Sequence, residues 1–114
     1  MAPEDRDIRG ADRVREVFAR VRNRNRAVAD LFTEDAVILY GENGRGDGRE
    51  AIRAFYGRNF EAISPQPRVE AVLEVPPYFV AIVDVPSSDR HRRALDLFEL
   101  DDDGIRSLEI FSRG

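Results

Sequence analysis

"ALDLFELDDDG", residues 94–104, reads as a β-strand running into a turn. Strand side chains alternate faces, so Asp96 shares its face with Ala94, Phe98 and Leu100, while Leu95 and Leu97 take the other. Neither face is polar. A carboxylate buried there without partners is costly, and its usual escape is a raised pKa. Asp103-Gly104 is a tight-turn pair. The chain should therefore double back into a last strand, "IRSLEIFSR" (105–113).

Working outward, the upstream segments have the same character. "YFVAIVDV" (78–85) and "RVEAVLEV" (68–75) are rich in β-branched and aromatic residues, separated by Pro76-Pro77. "PSSDR" (86–90) turns the 78–85 segment back into the strand that starts near His91. Four consecutive strands imply an antiparallel meander. Helices come before it. Val14, Val17, Phe18 and Val21 recur at helical spacing, with Asp12 as N-cap. "NRN" (23–25) interrupts, and Ala27 to Phe32 reads as a short second helix. "AVILY" (36–40) is a strand and "GENGRGDG" (41–48) a loop. Asp47 and Glu50 have the spacing of a capping box for a helix carrying Ile52, Phe55, Tyr56, Phe60 and Ile63, ended by Ser64-Pro65. The order is ααβαββββ. This is an α+β fold with helices over one sheet face, read as one domain over residues 1–114.

Composition excludes several chemistries. The chain is 42% hydrophobic and 35% charged, as expected for a soluble globular protein. A net charge of -4, with no basic stripe, disfavours nucleic acid. No apolar run approaches a membrane span, and "MAPEDRDIRG" has no signal-peptide core, so a cytoplasmic location is expected. There is no cysteine and no lysine, which removes thiol and Schiff-base chemistry. The single His91 cannot make a multi-histidine metal site. Neither metal nor cofactor is expected, and catalysis would fall to Asp, Glu, Tyr, Arg, Ser or His91.

Several motifs have ordinary explanations. The Gly-rich loop 41–48 lacks the Gly-Lys-Ser/Thr of a phosphate loop. "RGD" (45–47) is a chance product of composition. "DDDG" (101–104) lacks the spaced ligands of a calcium loop. Asp84 lies opposite Arg93 if the hairpin loop is even. If the loop is odd, it joins Asp96 as a second buried carboxylate. Asp96 itself has two readings. It is either a hydrogen-bonded core acceptor or a group on a cavity left between the helices and a curved sheet.

"DLFTEDAVIL" (30–39), a Gly-containing loop and "GREAIRAFY" (48–56) resemble the nuclear-transport-factor-like superfamily, which includes ketosteroid isomerases, SnoaL-like polyketide cyclases and limonene-epoxide-hydrolase-like enzymes. "LDLFELDDDGIRSLEIFSR" (95–113) is similar to the closing hairpin of the isomerase branch. The resemblance implies a cone: a curved antiparallel sheet around an apolar, cofactor-free pocket, packed against N-terminal helices and one long helix. It also implies a homodimer through the outer sheet face. Asp96 would match a protonated Asp that donates to a developing enolate, a role for which the isomerase is the standard example. Tyr56 would match a supporting tyrosine. Tyr40 stands where the isomerase keeps its general-base Asp, and Phe32 replaces a further tyrosine. The helix 1 oxyanion tyrosine has no counterpart at Glu16, Val17 or Phe18.

The expected activity is acid/base chemistry on a small hydrophobic molecule: isomerisation, cyclisation or epoxide opening. Asp96, Tyr40 and Tyr56 are the candidate catalytic residues, with Phe18, Phe32, Phe55 and Phe98 lining the pocket. Glu42 or Glu16 would serve as base if turned inward. An Asp-Arg-Asp set of the limonene type would need Asp84, Arg93 and Asp96 together, which alternation opposes for Arg93 and Asp96. The rival is a non-catalytic binding or dimerisation module on the same fold.

Overall fold

Period-two alternation in the second half of the chain produces four strands, as expected. In the computed structural model, which describes residues 3–62, 66–86 and 91–112, they are β3 (Arg68–Val75), β4 (Tyr78–Pro86), β5 (His91–Asp101) and β6 (Gly104–Ser112). Helix α1 (Pro3–Arg22), a 3-10 helix (Arg26–Leu31), β1 (Phe32–Tyr40), β2 (Gly44–Asp47) and α2 (Arg49–Ala62) precede them. The sheet order is β2-β1-β6-β5-β4-β3. All pairs are antiparallel except β1 with β6, which run parallel. The sheet is therefore mixed rather than purely antiparallel. Register shifts at Val69/Ala71 and Glu99/Leu100 are bulges, which bend a sheet and raise its twist.

The concave face holds the core. Val14, Val17, Phe18 and Val21 of α1 are buried, as are Ile52, Tyr56 and Phe60 of α2. A methyl on Gly10 would lie 2.5 Å from the Phe79 ring, so α1 rests directly on β4 there. Phe18 meets Phe98 edge-on at 6.1 Å. Phe32 and Phe98 are fully buried beneath the helices. No helix among the described residues is long and apolar enough to cross a membrane.

Local expectations differ from the structure at several points. Asp12 lies inside α1, which starts at Pro3. The second helix is a 3-10 turn capped by Asn25, whose side chain accepts from the Ala27 N–H at 2.9 Å, and Phe32 already belongs to β1. The loop 41–48 contains β2, paired with β1 from Val37↔Asp47 to Tyr40↔Gly44. No capping box forms, because Arg45 holds the Asp47 carboxylate at 3.0 Å and Glu50 pairs with Arg53 at 3.3 Å. The β5–β6 turn is centred on Asp102 and Asp103, one residue earlier than expected. Asp101 Oδ1 accepts from the Asp103 and Gly104 N–H groups at 2.8 and 3.1 Å, an Asx turn. Ile63, the Ser64-Pro65 stop and the 87–90 turn lie outside the described residues.

The register resolves Asp84. It lies opposite Arg93 and Ala81 lies opposite Asp96, so Asp84 and Asp96 point to opposite faces. Asp84 sits 3.6 Å from Arg68, while Arg93 reaches Glu70 at 3.4 Å. Neither the odd-loop arrangement nor the Asp84-Arg93-Asp96 set is formed. On the convex face Tyr78 and Leu95 are exposed, and Val80, Ile82 and Leu97 are half-buried. Leu73, Val75 and Phe111 extend this apolar surface.

Candidate functional site

Asp96 occupies a central strand. Its register partners are Ala81 on β4 and Ile110 on β6, and Ala94 precedes it on the same face. Two alanines beside one short acidic side chain leave volume that the helices do not fill. The result is a cavity of about 220 Å³ between the sheet and helices α1 and α2. Phe18 and Val21 come from α1, and Phe55, Tyr56, Asn59 and Phe60 from α2. The sheet side supplies Val83, Val85, Ala94, Asp96, Ile110 and Ser112.

The cavity has a closed end and an open end. Phe18, Tyr56 and Asp96 are 5%, 7% and 7% exposed, and Asp96 lies two strand residues inward of the Ala94–Ser112 pair, which sets it toward the closed end. Val85 and Asn59 are half-buried and Ser112 is exposed, marking the open end. Pro67 is buried on the lining, and its carbonyl accepts from Arg22 at 3.1 Å.

The electrostatics centre on one group. Asp96 Oδ1 is buried and has no hydrogen-bond partner among the described residues. Burial pushes its carboxyl up to about 7. Tyr56 is held above the ordinary phenol value by burial first and then by the Asp96 charge. Thus a carboxylic acid that keeps its proton close to neutrality projects into an apolar space, with a protonated phenol nearby. Neither Tyr40 nor Tyr56 donates to Asp96 Oδ1.

Asp96, Tyr56, Phe18 and Phe55 of the expected residues meet at the cavity, and Phe32 and Phe98 lie in the core instead. Tyr40 is not on the lining. Its ring packs against Phe55 at a 45° tilt, centroids 4.5 Å apart, and covers Gly44, where a methyl would come within 2.4 Å of the ring. Neither candidate base turns inward: Glu16 is exposed and bonded to Arg20 at 2.9 Å, and Glu42 is exposed. Among the described residues Asp96 is the sole carboxylate on the lining. Asn59 and Ser112 escaped the sequence reading. Their one sequence signal is position: Asn59 lies one helical turn after Tyr56, and Ser112 shares the strand parity of Ile110.

Comparison with known proteins follows the same lines. The SnoaL-like domain family matches residues 19–73. No curated protein matches the sequence. Among solved structures, an NTF2-like protein of unknown function from Mesorhizobium loti superposes with a TM-score of 0.82 at 18% identity, covering 99% of this chain and 98% of its own. A putative SnoaL-like polyketide cyclase from Jannaschia sp. CCS1 gives 0.78 at 19% identity, covering 90% and 84%. SalBIII, an epoxide hydrolase/cyclase-like enzyme in pyran ring formation in the polyether salinomycin, gives 0.77 at 19% identity, covering 94% and 92%.

Proposed function

Since the chain belongs to the SnoaL-like, NTF2-like superfamily, whose fold hosts unrelated chemistries, we propose its function from the site: cofactor-independent acid catalysis on a small hydrophobic molecule. The reaction is ring closure or epoxide opening, with Asp96 as the acid. The single observation that carries this reading is the unpartnered Asp96 Oδ1 at the closed end of an apolar cavity. Proton abstraction next to a carbonyl needs a separate base as well as an oxyanion donor, and among the described residues the lining has no carboxylate besides Asp96. An acid-first reaction needs only one carboxyl. Asp96 gives its proton to the departing epoxide oxygen as a substrate hydroxyl or water attacks the ring carbon. The proton of the attacking oxygen, on the opposite face of the ring, passes to water at the open end, and water returns a proton to Asp96. Atoms and charge balance, and Asp96 returns to its starting state. An acid near 7 suits both halves of this exchange. Tyr56 would border the reacting oxygen, while Phe18 and Phe55 exclude water.

The test is turnover of small epoxides and hydroxy-epoxides by the parent and by Asp96→Asn. The expected loss is about 10²–10⁴-fold, with ligand affinity retained. Equal turnover by both proteins would sink the proposal. That Asp96 is the sole carboxylate on the lining among the described residues also suits a second reading, a binding module without catalysis. Binding by the parent with no turnover of any panel member would support it.

A further inference from the structure

The polar groups on the cavity wall are few and are segregated by depth. Asp96 is at the closed end. Asn59 is half-buried and Ser112 exposed toward the open end; Ile110 lies level with Asp96, and Ala94 and Val83 lie level with Ser112. Ser112 pairs with Ala94, two residues before Asp96 on β5, so it lies about 7 Å from Asp96 along the strand direction. Asn59 is displaced from Tyr56 by one turn of α2, about 5 Å. Both residues line the cavity and are more exposed than Asp96. The volume of about 220 Å³ falls below the roughly 300–1,000 Å³ typical of pockets for drug-sized ligands.

We infer that the cavity selects a small, uncharged, single-ring-sized ligand by two polar anchors: an oxygen acceptor seated against Asp96 at the closed end and a hydroxyl group held by Asn59 and Ser112 at the open end. This rests on the reading of Asp96 as a proton-bearing acid, and it adds Asn59 and Ser112 as specificity-determining residues. Deep in the cavity a ligand oxygen gives the Asp96 proton the partner that the protein does not supply. At the mouth, the Asn59 amide and Ser112 hydroxyl both donate and accept, which matches a hydroxyl group. The spacing of about 7 Å along the strand corresponds to two oxygens on opposite ends of one six-membered ring. A ligand carrying a carboxylate at the mouth would be drawn elsewhere. Arg92 pairs with Val85 and is exposed on the same face beyond Ala94, so it is the nearest cation of β5. Arg22 is engaged with the Pro67 carbonyl and Arg24 with the Phe60 carbonyl.

The experiment measures affinity by calorimetry for three cyclohexanones that differ on the ring carbon opposite the carbonyl: hydroxymethyl, ethyl or carboxylate. The parent should prefer hydroxymethyl over ethyl by about 2- to 10-fold, the worth of one net hydrogen bond. In Asn59→Leu/Ser112→Ala that ratio should fall to about 1, with ethyl affinity retained. Each single variant should fall between, which guards against a double variant that folds poorly. A ratio unchanged in the variants would overturn the inference, as would equal binding of all three compounds or binding of none. Tightest binding of the carboxylate would also overturn it and move the outer anchor to Arg92. Turnover does not enter these ratios. The acid-catalysis reading fails separately, on Asp96→Asn turnover.

Discussion

Asp96 and Tyr56 stand on opposite walls of one cavity, β5 carrying the carboxyl and α2 the phenol, and the charge of the first raises the pKa of the second. Burial holds the Asp96 carboxyl near 7, above an unfolded value near 3.8. The native state then keeps a proton that the unfolded state has released. Asp96 contributes stability fully below the unfolded pKa and loses it as pH climbs through about 7. Denaturant unfolding at pH 5 and pH 8 should show the parent losing about 3 kcal/mol relative to Asp96→Asn. Parallel pH profiles for the two proteins would contradict this.

Tyr56→Phe isolates the cause of that shift. Desolvation dominates, and Asp96 Oδ1 has no hydrogen-bond partner among the described residues. Removing the phenol oxygen should therefore leave Asp96 titrating within about one unit of its parent value. Carboxyl NMR decides it, and a drop into the ordinary Asp range would show that the tyrosine maintains the shift.

Gly44 tests the structural role of Tyr40. A methyl there would meet the Tyr40 carbonyl and ring within 2.4 Å, and the two residues are paired, so the backbone cannot easily give way. Gly44→Ala should cost about 1–3 kcal/mol, the usual range for overpacking, measured by thermal or denaturant unfolding. A neutral substitution would mean that the β1–β2 hairpin is loose.

The convex face is expected to be covered in a homodimer. Leu95 and Phe111 face each other across β5 and β6, at 43% and 50% exposed, within a larger apolar surface. Light scattering should report a dimer for the parent and a monomer for Leu95→Arg/Phe111→Arg. A monomeric parent at micromolar concentration would refute the expectation.

Steroid substrates of the isomerase type should not turn over. A four-ring molecule exceeds about 220 Å³ of cavity, and Tyr40, which the sequence resemblance sets at the place of the isomerase base, packs on Phe55 away from the lining. Tyr40→Asp should accordingly gain no isomerase activity and should lower stability by uncovering Gly44. Substantial turnover of a 3-oxo steroid by either protein would contradict this.

The meander was legible because each strand alternates and ends at Pro-Pro or an acidic turn. Asp96 was legible by parity alone. β2 was not: "GRGD" has no apolar residue, and Gly44 and Gly46 fit because their bare backbones lie against Tyr40 and Ile38. The start of α1 was missed because "PEDRDI" lacks apolar periodicity. Asn59 and Ser112 were missed because their presence on one lining depends on how α2 lies over the sheet, a long-range relation that local pattern does not encode. Tyr40 was assigned to the site from a matching position, but its direction is set by contacts with Phe55 and Gly44.

The parallel pairing of β1 with β6 has a consequence for the chain as it emerges from the ribosome. Ile38 is made long before its partner Leu108, a delay of several seconds at about 5–20 residues per second. During that interval "AVILY" is a β-prone apolar segment whose native neighbour does not yet exist, the kind of sequence that seeds aggregation. The adjacent hairpin is local and can form at once. It places β2 along one side of β1, with exposed Arg45 and Asp47 on the outer strand. Charged residues on an outer strand discourage edge-to-edge association, so a four-residue strand without an apolar side chain would shield the nascent chain until the sheet closes.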